Sequence, residues 1–203
     1  SVHLAPRKPD VLRLPVSGKA RILRLIPKEL VTTLDEEEVY TEDGCFVPKN
    51  GLLKLAVVER HHASGRVGLG ILRGFDIQNG AIATTVGHDS HNLIVVGDND
   101  ADMLAAIDAL EECGGGYVVV RNGEVLAKLV LSVAGLMSDA PLETILKHQH
   151  ELLDAAATLG IHTDSDPFIT LSFIALPVIP AVRLTDMGLF DVTKMEFFEK
   201  HNQ

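Results

Sequence analysis

Cysteine is scarce in this sequence, since only Cys45 and Cys113 occur among its 203 residues. They stand in unlike contexts and form no Cys-x-x-Cys spacing, which argues against a disulfide framework and a zinc knuckle. Disulfides persist mainly in oxidising compartments, so two unrelated thiols suit a reducing one. The scarcity of cysteine therefore predicts a cytoplasmic protein.

Basic residues are also few, with 18 lysines and arginines against 28 aspartates and glutamates and a formal net charge of −10. Phosphate contacts need clustered Lys and Arg, so we expect no nucleic acid and no acidic membrane as a partner. Long apolar runs are missing as well. No stretch reads as a transmembrane span, and the N-terminal SVHLAPRKPD lacks the apolar core of a signal peptide.

What the sequence does contain is the composition of an ordinary globular protein, with 46% hydrophobic and 23% charged residues. A chain of this length forms one large domain, or one domain with a smaller annex, and buries a substantial core. It begins abruptly in an extended, proline-containing stretch without an initiator methionine. We therefore expect it to be part of a longer polypeptide.

The clearest local signals predict a helix and a hairpin in the middle of the chain. The Asp-Asn pair at 98–99 can cap a helix, whose apolar residues repeat at helical spacing until Gly114 ends it. The stretch 117–131 then predicts a β-hairpin. Its Asn122-Gly123 pair suits a two-residue turn that needs positive φ at both central positions.

A second helix is predicted from about Pro141 to Leu159, with Ser138 or Asp139 as its cap and Gly160 as its stop. Strands are predicted in the apolar or β-branched runs at 19–31 (interrupted by Pro27), 52–60, 81–86, 93–96 and 166–184, the last broken at Pro177 and Pro180. Hairpin and crossover strands combined with about two main helices indicate an α+β fold around a mixed sheet. We expect this domain to span 51–203, after a β-rich linker or part of a small β-sandwich at 1–50.

Five polar residues stand in a row between two apolar runs: His88, Asp89, Ser90, His91 and Asn92. Burying them is costly unless each finds a partner, and in an extended segment at most three share one face. One interpretation is a loop that faces an active site, where an imidazole carries a proton and Asp89 orients a ring. The other is a polar turn whose side chains bond to the backbone.

A second polar string, Glu59, Arg60, His61 and His62, lies where the strand predicted at 52–60 ends. These side chains could reach the same site as the first string, with the glycine-punctuated segment that follows moving over it. The alternative is a surface salt bridge of Glu59 or Arg60, which would contribute little energy.

Two further patterns look chemical but have simpler explanations. The triple glycine at 114–116 follows a helix and precedes a strand, the reverse of the order in a phosphate-binding loop, so it predicts a helix stop and a turn. His148 and His150 share a helix, where residues two apart point roughly 200° apart and cannot hold one metal. We interpret both, with His162 and His201, as solvated or packing histidines.

Four longer strings carry a likeness to a known family: KLAVVERHHASGRVGLGILRGF, AIATTVGHDSHNLIVVGDNDADM, GGGYVVVRNGEVLAKLVLSVAGLMS and DPFITLSFIALPVIPAVRLTDMGLFDV. Together they cover nearly all of residues 51–200 and resemble the C-terminal region of microbial adenine deaminases, in the amidohydrolase superfamily. Residues 1–50 resemble, less specifically, the stretch that joins the catalytic barrel to this region.

The resemblance implies a hydrolase of purine salvage that converts adenine to hypoxanthine and ammonia. In such enzymes a (β/α)₈ barrel carries a binuclear iron or manganese centre, and the metal lowers the pKa of the water that attacks the purine. No His-x-His stands at the end of a predicted strand here. We therefore expect the barrel and all metal ligands to lie outside this chain.

The resemblance also favours an active-site role for the two polar strings. The expected catalytic residues are His88, Asp89, Ser90 and His91, and the expected substrate-binding residues are Asn92, Glu59, Arg60 and His61. The expected partners are adenine, the barrel of the same enzyme and a second copy of the chain in a homo-oligomer. The alternative from another class is a non-catalytic domain that stabilises the barrel or builds the oligomer.

Overall fold

A computed structural model describes residues 2–8, 10–161 and 166–199 of the chain. In chain order the elements are β1 (Lys19–Leu25), β2 (Thr32–Glu38), β3 (Thr41–Glu42), β4 (Cys45–Phe46), β5 (Leu52–Val58), β6 (Val67–Arg73), β7 (Ala81–Thr84), β8 (Leu93–Gly97), α1 (Asp100–Cys113), β9 (Gly116–Arg121), β10 (Glu124–Val130), α2 (Leu142–Thr158), α3 (Pro167–Phe173), β11 (Val182–Thr185), β12 (Gly188–Asp191) and β13 (Glu196–Phe197). His162 and His201 lie outside the described residues.

An eight-stranded sheet in the order β10-β9-β7-β8-β5-β6-β1-β2 forms the centre of the fold. Neighbouring strands are antiparallel except for β1 and β6, which are parallel, so the sheet is mixed. Strands from the first fifty residues and strands from 51–203 therefore share one sheet. With its helices packed on this sheet and no (β/α)₈ barrel in the described ranges, the chain has the predicted α+β fold.

Helices cover both faces of the sheet. Strands β5 and β8 run through its middle and are buried along their whole length, and their sequences are accordingly apolar apart from Lys54, whose ammonium pairs with Asp100. Along β9, Val118 and Val120 pack with α1 on one face, whereas Val119 packs with α2 and α3 on the other. No helix in the described part of the chain is long and apolar enough to cross a membrane.

The helix and the hairpin predicted in the middle of the chain are confirmed. Asn99 caps α1 by accepting a hydrogen bond from the backbone N–H of Asp102 at 2.8 Å, and Gly114 ends the helix at a left-handed φ of 81°. This conformation confirms that the triple glycine begins with a helix stop. Asn122 and Gly123 join β9 to β10 with φ values of 52° and 77°, as the two-residue turn requires.

The second helix has the predicted position, but its predicted cap is wrong. The residue before α2 is Pro141, which makes no side-chain capping bond. Ser138 Oγ accepts instead from the backbone N–H of Ala140 at 3.2 Å, and Asp139 accepts from the hydroxyl of Ser132 at 2.6 Å. Both side chains therefore bond to groups that precede α2, and neither bonds to the first backbone N–H groups of the helix.

The strand predicted at the start of the tail is wrong, since residues 167–173 form α3. The Asp166 carboxylate accepts hydrogen bonds from the backbone N–H groups of Phe168 at 2.8 Å and Ile169 at 3.3 Å, and Pro167 occupies the first turn. A capping residue followed by proline starts a helix strongly enough to outweigh the β-branched composition. The strand expected further along is present as β11.

The β11–β12 hairpin packs closely against β6, and Gly68 permits this approach. A Cβ atom at Gly68 would lie 1.8 Å from the carbonyl oxygen of Thr185, closer than any real contact. We therefore expect Gly68→Ala to push the hairpin away from the sheet and to lower the free energy of unfolding by about 2–3 kcal/mol. Urea unfolding of the 203-residue chain measures this loss.

Gly70→Ala is the matched control, because it adds the same methyl group to the same face of the same strand. Its Cβ would meet only the end of the Leu184 side chain at 3.4 Å, which can shift. We expect a clearly smaller loss of stability in this variant. Equal losses in the two variants would contradict the close approach at Gly68.

Candidate functional site

The polar string at 88–92 forms a turn rather than an extended segment. The backbone N–H of His91 donates to the carbonyl of Gly87 at 2.5 Å, and that of His88 donates to the carbonyl of Ser172 at 2.9 Å. His91 has a φ of 50°, in the left-handed region. The turn brings the imidazoles of His88 and His91 to a centroid distance of 6.0 Å, although an extended strand would point them to opposite faces.

The Arg60 side chain connects this turn to two other segments. It is only 2% exposed. Its Nε donates to the carbonyl oxygen of His91 at 2.5 Å, and its Nη2 donates to those of Thr85 at 3.4 Å and Ala134 at 3.1 Å. A guanidinium can bind three such oxygens because it carries five N–H donors in a planar fork.

Glu59 organises the loop that follows β5. Its buried carboxylate accepts hydrogen bonds from the hydroxyl of Ser64 at 2.6 Å and from the backbone N–H groups of His61, His62 and Ser64 at 2.6–3.0 Å. Burial alone would raise the pKa of Glu59, but these hydrogen bonds outweigh it and lower the pKa to about 2. Because Glu59 and Arg60 are both buried, the surface salt bridge considered for them is wrong.

We expect Glu59→Gln to weaken the protein in a pH-dependent way. The folded pKa of about 2 lies below the ordinary 4.5, so the carboxylate stabilises the fold fully above about pH 4.5, and this stability is lost as the pH falls toward 2. The variant should be less stable than wild type by about 3 kcal/mol at pH 7. Urea unfolding at pH 7 and pH 3 should show the difference shrinking with acid; a constant difference would contradict it.

The two polar strings meet in space. Strands β5 and β8 are antiparallel neighbours in which Val58 pairs with Leu93, so the residues after β5 lie beside those before β8. The imidazole of His61 donates from Nε2 to the carbonyl oxygen of Ser90 at 2.7 Å, which assigns the proton to Nε2 and leaves Nδ1 as an acceptor. We call residues 59–66 and 88–92 together the two-loop site.

His91 is the most perturbed imidazole of the two-loop site. It is half-buried, and burial lowers its pKa below the ordinary 6.5, with further lowering by the charges of His88 and Arg60. Its Nδ1 atom is buried without a hydrogen-bond partner in the described part of the chain. The neighbouring His88 ring packs on Phe173 of α3 at a centroid distance of 4.5 Å. A neutral imidazole at pH 7 is suited to take up or release a proton.

Asn92 ends the second loop and is bound by a residue that the sequence did not indicate. Its side chain is buried, and its Nδ2 donates to Asp186 Oδ1 at 3.1 Å. The other oxygen of Asp186 accepts from Arg66 Nε at 2.7 Å. No short-range pattern could reveal this contact, because Asp186 stands 94 positions further along the chain.

The remaining two predicted site residues are exposed. Asp89 makes no hydrogen bond to His88 or His91 within the described residues, so the orienting contact that we expected from it is absent there. Ser90 contributes its carbonyl oxygen to His61, and its hydroxyl lies 3.5 Å from the backbone N–H of Asn92. The polar-turn interpretation, in which the side chains of the loop bond to its backbone, holds in the described residues only for this Ser90 hydroxyl, because the other backbone groups bond to Gly87, Ser172, Arg60 and His61.

The two-loop site does not suit a metal centre. No three His, Cys, Asp or Glu side chains gather to hold an ion in the ranges that the structure describes. Glu59 is already bonded to four donors, and the charge of Arg60 beside His91 opposes a cation. The residues present therefore do not fit the binuclear centre expected for the superfamily.

Comparison with known proteins identifies the family of this chain. A family model described as the adenine deaminase C-terminal domain matches residues 29–196, which include the two-loop site. The chain belongs to this adenine deaminase C-terminal domain family. The resemblance stated from the sequence is thereby confirmed.

The similar proteins are adenine deaminases that are longer than this chain. An adenine deaminase of Nitratidesulfovibrio vulgaris (strain DP4) is 51% identical over 200 residues, and one of Halalkalibacterium halodurans is 47% identical over 202 residues. A third, of Lysinibacillus sphaericus, is 45% identical over 203 residues. The matches cover 97–98% of this chain but only 34–35% of the relatives. The chain thus spans about a third of their length.

Proposed function

We propose that this chain is the C-terminal part of an adenine deaminase and that the two-loop site completes the active site of that enzyme. The observation that carries the proposal is the convergence of both polar strings, in which His61 binds the Ser90 carbonyl and Arg60 binds the His91 carbonyl. Three imidazoles, those of His61, His88 and His91, then lie on two neighbouring loops. The names of the relatives support adenine as the substrate.

Deamination of adenine requires proton transfer, which these imidazoles can provide. Water adds to the ring carbon that bears the amino group, one of its protons must reach the amino nitrogen, and ammonia leaves to give hypoxanthine. His91 can accept and return such a proton because its lowered pKa keeps it neutral at pH 7. His61, whose Nε2–H is bonded to Ser90, presents Nδ1 as an acceptor.

The proposal assigns the water-activating metals, manganese or iron, to the part of the enzyme outside this chain. A bound metal would lower the pKa of water there. The chain's own contribution is to bind and orient the purine, exclude water and move a proton. The unpaired Cys45 and Cys113 suit a reducing cytoplasm as the place of this reaction.

A second candidate function is that of a non-catalytic domain that holds the barrel or builds a homo-oligomer. The groove between the edge strand β10 and helix α2, with a volume of about 690 Å³, favours this alternative. Val125 and Leu126, which line it, are 43% and 41% exposed. Apolar side chains beside an edge strand are typical of surfaces that pair with another chain.

The test compares the complete polypeptide with the isolated 203-residue chain. We expect the complete polypeptide to convert adenine to hypoxanthine and ammonia, and the isolated chain to show no turnover with added manganese, because its described residues hold no metal cluster. Steady turnover by the isolated chain would contradict the placement of the metals elsewhere. A complete polypeptide that leaves adenine unchanged would contradict the proposed reaction.

A further inference from the structure

We propose that Asp186 is a positioning residue of the two-loop site, holding both loops in the arrangement that the reaction requires. This inference rests on the proposed function. Asp186 lies in the turn between β11 and β12, outside both polar strings. It would act through Asn92 and Arg66 rather than by touching the substrate.

One carboxylate joins the ends of the two loops. Its Oδ2 accepts from Arg66 Nε at 2.7 Å, at the end of the first loop, and its Oδ1 accepts from Asn92 Nδ2 at 3.1 Å, at the end of the second. The Asp186 side chain is only 12% exposed, whereas that of Arg66 is 54% exposed. The bond to the buried Asn92 is therefore better protected from water than the ion pair.

The turn that carries Asp186 is itself firmly held. The hydroxyl of Thr185 accepts a hydrogen bond from the backbone N–H of Met187 at 3.1 Å, which closes the turn around Asp186. The hairpin packs so closely on β6 that only a glycine fits at position 68. Because the turn is fixed by this hydrogen bond and by packing on β6, the Asp186 carboxylate is held in one position, as the positioning of a reacting group requires.

The position of Asn92 matters because it directly follows His91. Asn92 Oδ1 is buried without a partner in the described ranges, so the bond to Asp186 is the contact that holds this amide. Without it, the loop end would keep only the Arg60 bond to the His91 carbonyl, and the His91 ring would shift. A displacement of about 1 Å at a reacting group can cost roughly 100-fold in rate.

The test is a double-mutant cycle in the complete polypeptide, with adenine turnover as the readout. We expect Asp186→Ala and Asn92→Ala each to lower kcat about 10- to 100-fold. The double variant should be no slower than the slower single variant, because both changes remove the same bond. Losses that multiply in the double variant, or an unchanged kcat in Asp186→Ala, would overturn the inference.

Asp186→Asn provides a rescue test that does not depend on tolerating alanine in the turn. Its amide oxygen can still accept from Asn92, while the exposed Arg66 can turn into solvent. We expect a kcat closer to wild type than that of Asp186→Ala, and an equally low kcat would overturn the inference. Glu37→Gln is the control, because Glu37 pairs with Arg73 at the far edge of the sheet, and its kcat should stay within about twofold of wild type.

Measuring His91→Asn in the same series separates this inference from the proposed function. A large loss in His91→Asn beside a normal Asp186→Ala would overturn only the role of Asp186. Normal turnover in both variants would overturn the proposed function as well. Metal content is measured for every variant. A content equal to that of wild type shows that a loss of turnover arises in this chain's own residues.

Discussion

Replacing His91 with asparagine should lower kcat of the complete polypeptide for adenine by about 10²- to 10⁴-fold, the usual contribution of a proton-transfer group. The imidazole is half-buried, and its pKa is lowered first by burial and then by the charges of His88 and Arg60. Asparagine tolerates the positive φ of this position, so the change removes the imidazole without straining the turn. Ammonia release from adenine measures the effect.

His150→Ala is the matched control, because it removes an exposed imidazole from α2, away from the two loops. We expect it to leave kcat unchanged. Metal content and the urea midpoint of His91→Asn should match wild type. The acid limb of the wild-type kcat profile should lie below the ordinary imidazole pKa of 6.5 and disappear in the variant. Unchanged kinetics in His91→Asn would refute the proton-transfer role.

Arg60→Met should have the largest effect on stability. The change removes the donors to the carbonyl oxygens of Thr85, His91 and Ala134 and leaves these oxygens without the buried guanidinium. Each unsatisfied buried group costs about 1–3 kcal/mol, so we expect a loss of about 3–6 kcal/mol in the free energy of unfolding. Urea unfolding at pH 7 measures the loss.

Arg24→Met is the control for the removal of a guanidinium as such. Arg24 lies on β1, its side chain is 46% exposed, and it pairs with Asp35 at 2.5 Å. An exposed ion pair of this kind contributes at most about 1 kcal/mol. If Arg24→Met were as destabilising as Arg60→Met, the buried contacts of Arg60 would not be the cause.

The sequence indicated the two loops correctly because strong local signals flank them. Apolar runs identify β5 and β8, and polar strings must then occupy their ends. That the strings meet depends on β5 and β8 being antiparallel neighbours, which no local pattern reveals. The conformation of 88–92 could not be predicted either, because its turn depends on the bond from His88 N–H to Ser172, a distant part of the chain.

In the tail, a local signal for a helix start is present, although the β-branched composition predicts a strand. Asp166 and Pro167 together are a helix start, and α3 begins there. The prediction followed the β-branched composition instead. Composition is the weaker guide over seven residues, because two capping bonds act directly on the first turn.

The sequence by itself determined what depends on near neighbours: helix α1 and its cap, the β9–β10 turn, the buried central strands, the α+β class and the family. Only the tertiary structure decided what depends on distant ones. It brought Arg60 under the His91 carbonyl, His61 onto Ser90 and Asp186 between Arg66 and Asn92. The physical reason is that capping and hydrophobic periodicity act over a few residues, whereas the contacts of Arg60 and His61 depend on the pairing of β5 with β8, and those of Asp186 depend on the packing of the β11–β12 hairpin against β6.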